Sequence, residues 1–289
     1  MIVSAIQMQC SENPEENIAN AEKLVREASK QQANLVLLPE LFERQYFCQE
    51  RKYEYYQFAT PVYENKAVLH FSKICKELKL VMPISFYEKE KNRLFNSIAM
   101  INADGNLLGV YRKTHIPDDH FYQEKFYFTA GDTGFKIWDT VYGKIGVGIC
   151  WDQWFPETAR AMTLQGAQIL CYPTAIGSEP ILNCDSMPHW QRCMQGHSAS
   201  NIIPVVASNR YGLESVTPCE ENANQESSLL FYGSSFITNE TGEILQQADR
   251  QGDAVLTQEF DLQNIDKARL EWGLFRDRRP ECYKILTEL

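Results

Sequence analysis

Short apolar runs alternate along this chain with longer stretches in which apolar residues recur every three or four positions. The runs read as interior strands and the stretches as amphipathic helices. A strand over 2–8 leads to a helix from Pro14 to Gln32, opened by Asn13-Pro14-Glu15-Glu16. A strand over 35–39 follows, then a helix from Pro61 to Leu78 with Thr60 as its cap, a strand over 80–86 and a hairpin from Leu94 to Lys113. Ala103-Asp104-Gly105-Asn106 is the turn of that hairpin. A long loop over 114–134 separates it from strands at 135–138 and 143–149. Beyond Cys150 come a helix to Gly166, a strand over 168–172, a loop over 173–187, a helix over 188–200 and a strand over 203–208. A polar loop, hairpin strands at 229–238 and 243–248, a strand over 253–259 and a helix over 261–271 complete the pattern. Alternation of this kind predicts an α/β fold with helices covering sheets. One sheet and two sheets fit it equally well.

Three of these strands end on reactive side chains. The run Asn34-Leu35-Val36-Leu37-Leu38-Pro39 ends on Glu40, and Leu41-Phe42 continue apolar beyond it, which encloses the acid. The strand Leu107 to Arg112 ends on Lys113. The run Ile145 to Ile149 ends on Cys150, and Phe155-Pro156-Glu157 opens a helix soon after. Each has a plain reading when taken alone: a solvated acid, a solvated lysine, a buried inert thiol. Together they supply a base, an oxyanion-holding cation and a nucleophile. A helix start just after Cys150 predicts some help in forming the thiolate.

Composition narrows the classes. At 289 residues the chain can bury one large core, so a single domain over 1–289 is expected. A net charge of −10 disfavours a nucleic-acid partner, and no apolar run is long enough for a membrane span. Met1-Ile2-Val3-Ser4 reads as the start of a strand rather than a signal peptide. Nine cysteines at irregular spacings, none in a Cys-x-x-Cys pair, fit a reducing cytoplasm. The five histidines show no zinc spacing, and no metal or cofactor is expected. Gly143-Lys144-Ile145-Gly146-Val147-Gly148 lacks the Gly-Lys-Ser/Thr ending of a phosphate loop.

The motifs Leu38-Pro39-Glu40-Leu41-Phe42, Tyr111-Arg112-Lys113-Thr114-His115-Ile116-Pro117 and Gly148-Ile149-Cys150-Trp151-Asp152 resemble, in order and rough spacing, those of the nitrilase superfamily of carbon–nitrogen hydrolases. The resemblance covers nearly the whole chain. It implies a four-layer αββα sandwich, catalysis by Glu40, Lys113 and Cys150, and an oxyanion held by Lys113 and the backbone N–H of Trp151. It places Glu124, in the loop Glu124 to Asp132, beside the nucleophile as a support for Lys113. It also implies a homo-oligomer, dimer or larger, with the tail from about 272 to 289 at a subunit interface.

Within the superfamily, Pro173 to Pro180, His189-Trp190-Gln191-Arg192 and Ala207-Ser208-Asn209-Arg210 resemble the amidases that act on N-carbamoylputrescine. That resemblance implies a small cationic carbamoyl-amine substrate. Trp151 to Phe155 carries no arginine to bind a tail carboxylate. Glu179 and Asp185 are the expected partners of a tail ammonium, with Trp154 and Trp190 as walls facing it. The rival readings are a β-ureidopropionase or aliphatic amidase, for which Arg192 or Arg210 would hold the tail, and a catalytically silent binding protein on the same fold.

Overall fold

The computed structural model describes residues 1–178 and 185–288. In chain order its first half runs β1 (Ile2–Gln7), α1 (Pro14–Lys30), β2 (Leu35–Leu37), α2 (Lys66–Leu78), β3 (Met82–Glu90), β4 (Arg93–Ile101), β5 (Leu107–Arg112), β6 (Ile137–Thr140) and β7 (Gly143–Val147). The second half runs α3 (Pro156–Leu164), β8 (Ile169–Thr174), β9 (Gly177–Ser178), α4 (Met187–Asn201), β10 (Val205–Asn209), β11 (Tyr211–Val216), β12 (Ser227–Tyr232), β13 (Phe236–Thr238), β14 (Ile244–Gln247), β15 (Ala254–Glu259) and α5 (Leu262–Trp272).

The strands form two principal sheets. In one, β15-β1-β2 is joined to β3-β4-β5 through a parallel bridge between Leu35 and Val81. The other has the order β14-β13-β10-β8-β7-β6. A small sheet, β11-β12-β9, stands beside them. Period-two alternation decides which side chain enters which layer. Leu35 and Leu37 of β2 face the second sheet, where they meet Ile145, Val147, Ile169 and Val206. Val36 between them faces the helices, with Leu24, Val25, Phe71 and Ile74 of α1 and α2. On the outer side of the second sheet, Leu170, Tyr172 and Val205 pack against Met162 of α3 and Trp190 and Met194 of α4. The layers are therefore helix, sheet, sheet, helix, the four-layer αββα sandwich expected.

Several boundaries differ from the sequence pattern, for local reasons. The second helix starts at Lys66, capped by Asn65, whose side chain accepts from Val68 N. Thr60 is instead drawn into a bridge with Glu88, which holds the segment before the helix in an extended path. The strand read over 229–238 is broken by Gly233 and Ser234, both at positive φ, into β12 and β13 in different sheets. The polar loop after β10 contains a regular strand, β11, paired with β12 from Tyr211↔Tyr232 to Val216↔Ser227. Its alternation carries Leu213 outward, so it lacks the apolar signature of a buried strand. The tail folds back in two 3₁₀ turns at Pro280–Cys282 and Lys284–Leu286.

The two principal sheets meet at the ends of β2, β8 and β10. Glu40 N donates to Thr174 O at 3.3 Å, and Ser208 Oγ donates to Leu37 O at 2.9 Å. This junction brings the strand-end residues together.

Candidate active site

Glu40 follows β2, Lys113 follows β5 directly, and Cys150 follows β7 by three residues. The side chains of Lys113, Glu40 and Glu124 are wholly buried. Lys113 Nζ donates to Glu40 Oε1 at 2.8 Å and to both oxygens of Glu124, at 2.9 and 2.7 Å. A buried ammonium is tolerable only with compensating charge and filled hydrogen bonds. Burial alone would push Lys113 down, but the carboxylates of Glu124 and Glu40 outweigh it and hold the lysine well above its ordinary range. It stays an ammonium throughout the physiological range.

The two acids differ in their surroundings. Glu40 Oε1 is taken by Lys113 and by Asn96 Nδ2, at 2.7 Å. Its other oxygen, Oε2, is buried and makes no hydrogen bond. Glu124 is held on both sides, because Tyr46 donates its hydroxyl to Oε1 at 2.6 Å. Burial, moderated by Lys113 and reinforced by the charge of Glu40, pushes Glu124 up to about 7. Two carboxylates thus share one cation, and Glu40 keeps a free lone-pair face.

Cys150 is 5% exposed, and its thiol donates to Ala175 O at 3.8 Å. It opens a 3₁₀ turn over Cys150–Trp154, and α3 starts only at Pro156. The expected help from a helix start is therefore not what governs the sulfur. Burial pushes the thiol well above its ordinary value, the charge of Glu40 raises it further and Lys113 lowers it. Its burial therefore favours the neutral thiol over the thiolate. Its backbone has φ 41°, a strained left-handed conformation for a side-chain-bearing residue. Asp152 holds this turn. It accepts from Ile149 N at 2.9 Å and from the Tyr111 hydroxyl at 2.6 Å with one oxygen, and from His115 N and Nδ1 at 3.0 and 2.7 Å with the other. The turn that carries Cys150 is thereby tied to the segment that carries Lys113. Gly131 supports the same segment from behind: its N–H donates to Lys113 O at 2.8 Å, and a Cβ there would lie 2.1 Å from Arg112 O.

The residues expected to read a substrate tail divide differently. Trp190 is a core residue: it is fully buried, its indole donates to Gln153 Oε1 at 2.8 Å, and its ring packs on Tyr232 and Phe236. The helix face on which it lies points into the sandwich, so it is not a wall for a substrate. Asp185 is exposed and paired with Arg250 at 2.6 Å, which holds its carboxyl below the ordinary range. Its charge is spent at the surface. Trp154 is partly buried, against Trp151 and His189. Glu179 lies outside the described residues. Of the two arginines weighed for a carboxylate tail, Arg192 is exposed. Arg210 is fully buried with its guanidinium on the backbone of Glu40, Leu41 and Arg44.

Sequence reasoning missed Asn96 and Tyr46, gave Asp152 no role beyond its place in a motif, and weighed Arg210 only as a partner for a tail carboxylate. Asn96-Ser97 interrupts the apolar run of β4, which is a readable signal for a buried polar role. Tyr46 carries no signal, since it sits among other aromatics in a loop. Among the described residues no group of three His, Cys, Asp or Glu side chains is arranged to hold a metal ion.

Residues 2–270 match the family model for carbon-nitrogen hydrolases. The chain belongs to the carbon–nitrogen hydrolase family. It is 54% identical over 99% of its length to the N-carbamoylputrescine amidase of Oryza sativa subsp. japonica, 94% of which is covered. It is 50% identical over 97% of its length to the citrullinase of Francisella tularensis, 96% of which is covered. A crystal structure of a carbon-nitrogen hydrolase from Helicobacter pylori superposes with a TM-score of 0.90 at 35% identity, over 100% of this chain and 99% of that one.

Proposed function

We propose that this carbon–nitrogen hydrolase converts N-carbamoylputrescine to putrescine, carbon dioxide and ammonia through a covalent intermediate on Cys150. The observation that carries the mechanism is the division of labour around Lys113: both carboxylates hold the ammonium, while Glu40 alone keeps an unpartnered oxygen. Glu40 Oε2 accepts the thiol proton as Cys150 Sγ attacks the ureido carbonyl carbon. Lys113 Nζ and the Trp151 N–H hold the oxyanion that forms. Each such donor is worth about 3 kcal/mol of barrier. The C–NH₂ bond then breaks, and Glu40 returns the proton to the departing ammonia. A water deprotonated by Glu40 attacks the S-carbamoyl carbon, the C–S bond breaks as Glu40 returns that proton to Cys150 Sγ, and the carbamate released loses carbon dioxide to leave the amine. Glu124 and Tyr46 keep Lys113 in place through both steps.

The similarity to rice N-carbamoylputrescine amidase supports the substrate. The similarity to a citrullinase supports a second reading. Citrulline is the same terminal urea on the same carbon skeleton, with one added carboxylate beside the ammonium. The reaction end would treat the two alike, so discrimination depends on whether a cation meets that carboxylate. Arg210, the buried candidate, is committed to backbone carbonyls, which favours the tail without a carboxylate. Ammonia release from N-carbamoylputrescine, citrulline, N-carbamoyl-β-alanine and simple amides tests this. A kcat/KM for citrulline equal to or above that for N-carbamoylputrescine would sink the primary reading.

Self-association is part of the same proposal. Trp272, Ile285 and Leu286 are 70%, 71% and 66% exposed, and a hollow of about 710 Å³ between α3, the end of α4 and the tail is lined by Arg160, Leu274, Tyr283 and Leu286. Apolar surface of this kind is what a subunit interface covers. Among the described residues no helix is long and apolar enough to cross a membrane. The eight described cysteines are all free thiols, which supports a reducing, cytoplasmic setting.

A further inference from the structure

Arg210 sits between β10 and β11 and touches none of the groups assigned to the chemistry through their side chains. Its contacts go to their main chains. Nη2 donates to Glu40 O at 2.7 Å and Leu41 O at 3.0 Å, and Nη1 donates to Arg44 O at 3.0 Å. Nη1 also pairs with Glu214 Oε1 at 3.0 Å. The other oxygen of Glu214 accepts Tyr46 N at 2.5 Å, and Tyr46 in turn holds Glu124. Both members of the pair are buried.

The backbone they grip is one that would not keep its shape unaided. Leu41, the residue after the base, has φ 47°, a strained conformation for a branched side chain. A turn of this kind persists only where its surroundings over-determine it. Three of the four guanidinium hydrogen bonds are spent on carbonyls within residues 40–44. Space filling alone would need none of them. The fourth fixes the guanidinium against Glu214, whose second oxygen fixes the next segment. One ion pair therefore reaches both carboxylates that share Lys113, the first through the peptide of Glu40 and the second through Tyr46.

We propose that the buried Arg210–Glu214 ion pair is a positioning device for the reaction, holding the peptide frames of Glu40 and Tyr46 so that both carboxylates meet the Lys113 ammonium. It rests on the assignment of Glu40 as base and Cys150 as nucleophile. Neither Arg210 nor Glu214 touches substrate. Lysine at 210 keeps the charge but lacks the planar fork that spans several acceptors at once. Glutamine at 214 offers one acceptor oxygen where two are used.

The test is made on the full chain with Arg210→Lys and Glu214→Gln, measuring kcat and KM by ammonia release from N-carbamoylputrescine. The iodoacetamide alkylation rate of Cys150 is followed alongside, with exposed Cys282 as internal reference, and thermal unfolding confirms the fold. Misplacement of the base lowers kcat by about a hundredfold for Arg210→Lys and about tenfold for Glu214→Gln, with KM within about threefold. Cys150 alkylation slows in parallel while Cys282 is unchanged. Folded variants with wild-type kcat and alkylation, or with losses confined to KM, overturn the proposal. Should Arg210→Lys fail to fold, Glu214→Gln, which exchanges one oxygen for nitrogen, decides alone. Absence of turnover by the wild type would instead defeat the substrate reading, and the alkylation ratio would still test the ion pair.

Discussion

The cluster around Lys113 and the residues expected to read a substrate tail are built on opposite terms. In the cluster, Glu40, Lys113, Glu124 and Cys150 are withdrawn from solvent, and the charges compensate one another. Of the residues expected to read a tail, Asp185 is in solvent on Arg250 and Trp190 is core. The contrast has a physical cause. A charge buried without partners costs several kcal/mol, so each member of the reaction cluster dictates the others. An exposed acid is screened by water and salt and dictates nothing.

The largest effect that could break the contrast is at the nucleophile. Cys150→Ala is expected to abolish ammonia release while leaving the melting temperature within a few degrees of wild type, since the change deletes one small atom at a 5% exposed site. Residual turnover of a few per cent would show that another group attacks. Lys113→Arg comes next. The guanidinium keeps the charge but cannot occupy a fully buried niche bounded by Glu40 and Glu124. A fall in kcat of about a hundredfold or more is expected, and near-normal kinetics would refute the oxyanion role.

A third measurement sharpens the electrostatic side. The folded protein holds the Glu124 proton more tightly than the unfolded chain, because burial raises that carboxyl to about 7. The corresponding contribution to stability is complete below the ordinary carboxyl range and is lost as pH rises through about 7. Thermal melts between pH 5 and 8 are expected to show this decline in the wild type and a flatter profile in Glu124→Gln. Identical slopes would place the titrating proton on another group. The smallest effect is at a residue expected to read the tail. Asp185→Asn is expected to change KM for a cationic urea by no more than about twofold, because the carboxylate is exposed and engaged with Arg250. A tenfold rise confined to cationic substrates would mean that Asp185 reads the amine after all.

The positions of Glu40, Lys113 and Cys150 were legible before any coordinates because each closely follows a recognisable strand. Leu35–Leu37, Leu107–Arg112 and Gly143–Val147 are short apolar or alternating runs, and the reactive residue follows each within three positions. Glu124 was readable only through the family resemblance. Trp190 was misread because Trp suits a cation-facing wall and a core equally well, and only the direction of α4 separates them. β11 was missed because an outward Leu213 and a polar neighbourhood hide its alternation. The thiol's environment was misjudged because a proline-led helix start six residues away does not reveal that the chain first makes a 3₁₀ turn at positive φ.

Local sequence determined the strands and helices, the layer each side chain enters and the identity of the reactive groups, because periodicity and strand-end chemistry are properties of a few neighbouring residues. The tertiary structure alone decided that Glu40 and Glu124 share one ammonium, that the Arg210 guanidinium is bound to the backbone of Glu40, Leu41 and Arg44, and that burial pushes the Cys150 thiol upward. Those outcomes depend on desolvation and on charges brought together from segments up to 170 residues apart, and neither quantity exists until the two sheets have closed on each other.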